Sequence, residues 1–171
     1  MNLYSTHAYK SIEDFWFEPD HYEGCAYGLP FVCIRNDMKA WCGYVGVPFD
    51  HPAAGKEPFY VGPHPATLAD LNNPENFRSI EDLQVHGGIT WDAPYLPDKS
   101  RRDRYWLGFD CVHAWDRSPL DAFKELAGEE YYLHSSRKYR PLTYVIRECF
   151  RLAEQLSDLT SGYSDSPLRS E

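Results

Sequence analysis

The 171-residue chain has no apolar run near the ~20 residues that a helical membrane span requires, so a soluble protein is expected. It has no basic excess either. Seventeen Lys and Arg stand against 26 Asp and Glu, a formal net charge of -9, and an acidic surface repels the phosphates of duplex nucleic acid. Its five cysteines are odd in number, contain no C-x-x-C pair and follow no cleavable signal sequence, a pattern expected of a reduced, cytoplasmic protein. No internal repeat or low-complexity tract breaks the sequence, and no H-E-x-x-H metal spacing is present.

What is abundant is aromatic: 13 Tyr, 9 Phe and 5 Trp make 16% of the chain, too many for a disordered polymer. The length suits one globular domain over residues 1–160, followed by a flexible Ser/Asp-rich tail at 161–171. Charge is unevenly divided. Residues 1–98 carry 5 Lys/Arg against 14 Asp/Glu, whereas residues 99–171 carry 12 of each, so a site for an anion belongs to the second half.

Leu29–Arg35 and Lys39–Val47 are rich in β-branched and aromatic residues and flank Asn36-Asp37-Met38, which predicts an antiparallel hairpin. A turn at Asp37–Met38 would set Cys33 opposite Cys42, as two buried thiols rather than a bridge. The segment Ser11–Phe17 does not reveal its period. Six prolines between Pro48 and Asn76 predict a long loop with one helical turn near Thr67–Leu71. That loop either covers a ligand site or wraps the sheet.

Two more strands fit Asp82–Trp91 and Tyr105–His113, joined by a polar connection over 92–104. A short helix is expected after the Ser118 N-cap, with Pro119 at N1 and Gly128 closing it. Beyond Pro141, Val145, Cys149, Leu152 and Leu156 recur at helical spacing, with Ile146, Ala153 and Leu159 widening the face, which predicts about four turns packed on the sheet. The expected class is α+β: a twisted, mainly antiparallel sheet backed by a C-terminal amphipathic helix, with the long Pro-rich loop near one edge.

Two stretches concentrate chemistry, V-H-G-G-I-T-W at Val85–Trp91 and W-L-G-F-D-C-V-H-A-W-D at Trp106–Asp116. Gly87 and Gly88 allow positive φ and bare amides beside His86, either as a small anion-binding concavity or as a bulge, with Thr90 and Trp91 following. Asp110, Cys111, His113 and Asp116 fall within seven residues. Three chemistries compete there: a metal site from His86, Asp110 and His113, a Cys111–His nucleophile, or polar contacts to a bound ligand. For Asp110 the plain structural role is a carboxylate accepting backbone amides at a strand end.

Arg101, Arg104 and Tyr105, and later Arg137, Tyr139 and Arg140, pair guanidinium forks with aromatic faces, a combination suited to a nucleotide-like anion and equally to a solvated surface. Tyr44, Asp50 and His51 leave the hairpin on a loop where binding groups concentrate, although packing and turn capping also account for them.

C-G-Y-V-G-V-P with H-P at Cys42–Pro52, the H-G-G-I-T-W stretch, G-F-D-C-V-H-A-W-D at Gly108–Asp116 and Y-V-I-R-E-C-F-R-L-A-E-Q-L at Tyr144–Leu156 resemble a family of small uncharacterised proteins frequent in bacteriophages, prophages and actinobacterial genomes. The likeness spans most of the chain. It departs where relatives carry Ala and Gly and this sequence has Val112 and Trp115. The resemblance implies a phage or prophage setting, in which a small acidic protein disarms host defence by sequestering a cyclic or ADP-ribose-derived signalling nucleotide. Arg101, Arg104, Arg137 and Arg140 would then meet phosphates, and Trp91, Tyr105 and Tyr139 bases.

The leading expectation is therefore a non-enzymatic binding protein for a small anionic ligand, with no cofactor and no resident metal. Homo-oligomerisation would suit that role, but no interface signature marks it. Two alternatives stand beside it: a hydrolase using the His/Asp/Cys cluster with or without metal, and a protein-binding inhibitor whose acidic half meets a host factor.

Overall fold

A computed structural model describes residues 17–127 and 137–161. In chain order it contains strands β1 (His21–Ala26), β2 (Leu29–Arg35), β3 (Trp41–Val47) and β4 (Phe59–Tyr60), then helix α1 (Leu68–Leu71) and β5 (Phe77–Arg78). Strands β6 (Trp91–Ala93) and β7 (Tyr105–Asp110) follow, and helices α2 (Pro119–Leu126) and α3 (Leu142–Ser161) complete it. Five strands form one antiparallel sheet in the order β1-β2-β3-β7-β6, while β4 and β5 make a separate two-stranded ladder. This is the α+β class expected. No described helix is long and apolar enough to cross a membrane.

The β2–β3 hairpin forms, but its loop is one residue longer than a two-residue turn at Asp37–Met38. Asn36 and Ala40 pair through their backbones, Lys39 takes a left-handed φ of 59°, and the Asn36 carboxamide accepts the Met38 and Ala40 N–H groups. The extra residue shifts the register by one, and one step of register reverses a side chain's face. Cys33 therefore lies opposite Gly43, Cys42 lies opposite Ile34, and the two thiols point to opposite faces of the sheet. Cys33 instead meets Cys149 of α3 at 3.8 Å between sulfurs, both as free thiols.

One face of the sheet packs on α3. Phe31, Cys33, Val45, Val47, Leu107, Phe109 and Cys111 meet Val145, Cys149, Leu152, Ala153 and Leu156, and all five helix residues are fully buried. Each buried Val or Leu contributes about 1.5–3 kcal/mol. Gly43 is bare because a Cβ there would collide with Cys149 and Phe109. The opposite face carries a smaller cluster of Val32, Cys42, Tyr44, Leu96 and Trp106, roofed by the 92–104 connection.

Helix α3 spans 20 residues, more than the four turns marked by its apolar spacing. Its first free amide, on Leu142, donates to Glu18 Oε1 at 3.0 Å, while Glu18 Oε2 accepts from Tyr139 Oη, Arg35 and the Trp41 indole. A buried carboxylate thus satisfies and neutralises the helix start.

Helix α2 begins as expected: Ser118 Oγ accepts the Asp121 N–H, and Asp121 returns a carboxylate oxygen to the Ser118 N–H. Gly128 and the tail from 162 lie outside the described residues, as does Ser11–Phe17 apart from Phe17. The Pro-rich loop is present, with α1 capped by Thr67 where a helical turn was expected, and it also contributes β4. Strand β1 was not anticipated. It is an exposed, polar edge strand joined to β2 by Tyr27-Gly28, both at positive φ, as a tight hairpin requires.

The strand expected over Asp82–Trp91 is mostly absent. Only Trp91–Ala93 pairs with β7, extended by the Thr90 N–H donating to the Gly108 carbonyl at 2.8 Å. Residues 84–86 lie along α3, where helix side chains replace a strand partner. The Gln155 carboxamide accepts the Gln84 N–H and donates to the Gln84 carbonyl, and Glu148 accepts the His86 N–H.

Candidate functional site

Where the 84–88 segment leaves α3, the chain turns sharply: the Gly88 N–H closes onto the Val85 carbonyl, with φ of 67° at Gly87 and 87° at Gly88. Gly87 has a second reason to be glycine, since a Cβ there would fall on the His113 ring. That close approach lets the loop after β7 fold its His113 and Asp116 against His86.

Asp116 is the hub. Its buried carboxylate takes the His86 Nε2–H at 2.7 Å, the His113 backbone N–H at 3.1 Å and His113 Nδ1 at 3.3 Å on one oxygen, and Arg140 Nε–H at 2.8 Å on the other. Burial opposes ionisation of this group. The hydrogen bonds from His86 and Arg140 outweigh it and hold the carboxyl below its ordinary range.

His86 Nδ1 meets the Tyr144 hydroxyl at 2.9 Å, so both ring nitrogens are engaged. Burial pushes the Tyr144 phenol up to about 12, keeping its proton available to donate. His113 differs: Nδ1 faces Asp116, no hydrogen bond holds Nε2 among the described residues, and its ring lies parallel to the Trp115 indole at 5.0 Å and 10°. Trp115 is 50% exposed. Around them, the Arg140 and Arg147 guanidiniums lie 4.9 and 5.3 Å from the Tyr144 ring.

Chemically, this centre offers three ligand atoms within 4.8 Å of one another on His86, His113 and Asp116, an imidazole oriented by a carboxylate, the stacked His113–Trp115 pair, and two guanidiniums against the Tyr144 ring. Cys111 is no nucleophile here. It is buried on the α3 face, and burial pushes its thiol well above the ordinary value. Asp110 takes the plain role, accepting the Val112 N–H at 3.0 Å, and approaches His113 Nδ1 only to 3.9 Å. The carboxylate that joins His86 and His113 is Asp116.

The remaining sequence candidates are dispersed. Tyr44 and Trp91 belong to the opposite face of the sheet, with Trp91 against Tyr95. Arg101 lies 4.9 Å from the Trp106 ring and pairs with Asp103 and Glu23. Tyr105 contacts the Gly55 turn at the far end of β7, roughly 17 Å from Asp110 at ~3.4 Å per residue, with Arg104 preceding it.

His51 is buried in the Pro-rich loop, accepting the Ala53 N–H and bonding the Leu156 carbonyl at 3.0 Å, which ties that loop to α3. Tyr139 serves the Glu18 cluster. Arg137 precedes Lys138, whose backbone pairs with Trp115 and Arg117 to anchor the site loop. Gly88 and Thr90 shape the turn and its return into the sheet.

No motif in the sequence marks Trp115 as a ligand platform, or Tyr144, Arg147 and Glu148 as site residues. Tyr144 and Glu148 stand four apart on α3, so both can reach the same neighbouring segment, and this spacing was the available signal. No protein-family model, curated protein or solved structure matches the chain.

Proposed function

We propose that this chain binds a small anionic, nucleotide-derived ligand on the surface formed by His113, Trp115 and Arg147, with Arg140 held inside by Asp116. The observation that carries the reading is the half-exposed Trp115 indole stacked parallel on His113, in one aromatic cluster, through His86, with Tyr144, whose ring carries the exposed Arg147 guanidinium. An indole face stacks on a base or ribosyl-linked ring, and guanidiniums receive phosphate. Arg101 and Arg104 drop out of the proposal because Arg101 is paired on the other face and Arg104 adjoins the far end of β7. The resemblance to phage proteins supplies the setting: sequestration of a host-defence signal in the host cytoplasm.

A second reading, hydrolysis of that ligand, is favoured by one observation. His113 carries a carboxylate at Nδ1 and its Nε2, which lies against Gly87, has no hydrogen bond among the described residues, so the ring is oriented as a general base requires.

Incubation with cyclic dinucleotides and ADP-ribose derivatives, followed by denaturation and recovery, separates the two. Bound ligand recovered intact supports sequestration, and turnover that His113→Ala abolishes supports hydrolysis. Absence of both binding and turnover across the panel would overturn both.

A further inference from the structure

We infer that His86, His113 and Asp116 form a binding site for one divalent first-row transition metal ion, with zinc as the representative ion. The inference concerns the centre described above but does not depend on the anionic-ligand reading, because the ion is tested alone.

Two imidazoles and a carboxylate are a donor set that selects transition metals over calcium and magnesium, which favour all-oxygen shells. Three protein ligands with a further position open is the pattern of a reactive site rather than a closed structural one. The spacing is near what an ion needs. Bonds of ~2.0–2.1 Å in a tetrahedral arrangement separate donor atoms by roughly 3.3–3.4 Å. His113 Nδ1 and Asp116 Oδ2 are already 3.3 Å apart, His86 Nε2 and Asp116 Oδ2, at 2.7 Å, need to part by roughly 0.6 Å, and all three donors lie within 4.8 Å of one another.

The outer contacts are those that orient metal ligands. The Tyr144 hydroxyl sits on His86 Nδ1, so His86 can turn its Nε2 lone pair to an ion by moving its proton to Nδ1, where the phenol oxygen accepts it. Arg140 holds the outer oxygen of Asp116, fixing the carboxylate with its other oxygen toward the histidines. The Glu148 carboxylate, which accepts the His86 amide, and Asp110, 3.9 Å from His113 Nδ1, add negative charge that offsets Arg140. Gly87 leaves room for the His113 ring that completes the set. None of these features distinguishes sequence-adjacent ligands. His86 comes from the turn before β6, and His113 and Asp116 come from the loop after β7, which is why no linear metal motif is visible.

The rival account is a metal-free hydrogen-bonded knot in which Asp116 is saturated by protein donors. Chelator-stripped full-length protein titrated with Zn²⁺ by calorimetry and with Co²⁺ by visible absorption separates the two. One equivalent of each ion is expected, with cobalt d–d bands and no intense thiolate-to-cobalt band, because Cys111 is not a ligand. His113→Ala, at a half-buried position, should lose the d–d bands while keeping its circular dichroism. Tyr144→Phe, which removes only the outer hydrogen bond, should weaken zinc about 10-fold or more. No saturable binding, a thiolate band, or equal affinity in folded His113→Ala would each overturn the site.

Discussion

Asp116→Asn is the sharpest perturbation of this centre, because nearly the same shape loses its charge. The carboxylate now accepts four hydrogen bonds, three on one oxygen and one from Arg140 on the other. A carboxamide has only one accepting oxygen. If that oxygen keeps His86 and His113, the NH2 group points at the Arg140 guanidinium, leaving donor against donor with the Arg140 side chain only 12% exposed.

Breaking a fully buried ion pair costs about 3–5 kcal/mol, and partial access of Arg140 to water brings the expectation to about 2–4 kcal/mol. For a chain of this size that is a fall in Tm of roughly 5–15 °C. Urea unfolding should show the midpoint moving with the slope unchanged. A cycle with Arg140→Gln should give a coupling of about 1 kcal/mol or more. A loss below about 0.5 kcal/mol, or additive single variants, would refute Asp116 as the organising charge.

Gly87→Ala and Gly88→Ala form a matched pair. Both residues have positive φ, but a Cβ at Gly88 meets open space and one at Gly87 meets the His113 ring. Gly88→Ala should cost about 1 kcal/mol from backbone strain alone, and chemical denaturation should find Gly87→Ala clearly worse. In thiol labelling of native protein at mildly alkaline pH, the exposed Cys25 should react alone among the five, since Cys33, Cys42, Cys111 and Cys149 are buried and burial pushes Cys42 up to about 12.

Acid should act in two windows. Burial lowers the His51 pKa from 6.5, so its contribution is full above that value and is lost as pH falls through the lower folded value; His51→Gln should flatten this portion of a stability–pH curve. Asp116, also lowered, contributes fully above the ordinary carboxylate value and is lost only as pH falls through its depressed one.

Period and turn chemistry made several elements readable. Val145, Cys149, Leu152 and Leu156 marked the buried stripe of α3, Ser118-Pro119 marked the start of α2, and the prolines marked the long loop. Register was less legible because it depends on a single loop residue, Lys39, whose left-handed conformation moved Cys42 to the other face. Val85–Thr90 looked like a strand because its composition suits extended backbone. The hydrogen-bond partners of Gln84 and His86 are Gln155 and Glu148, some sixty to seventy residues later, and no local pattern reveals that.

For the site, His86, His113 and Asp116 were visible as residue types, and Arg140 as charge. Their grouping was not, because it rests on the Gly87 backbone approaching the His113 ring and on Tyr144 and Glu148 projecting from α3. Proximity in sequence misled for Asp110, which the end of β7 uses to cap Val112. Arg101 looked like a phosphate ligand from composition, but Asp103 and Glu23 already engage it.

Native mass spectrometry of freshly purified protein, set beside Trp115→Ala and Arg147→Glu, tests the binding claim most directly. The wild type should retain a phosphate-bearing small molecule, or capture one from a nucleotide panel, and release it intact on denaturation, and both folded variants should lose it. A wild-type mass equal to the bare chain with no capture from the panel, or undiminished capture by the variants, would contradict it.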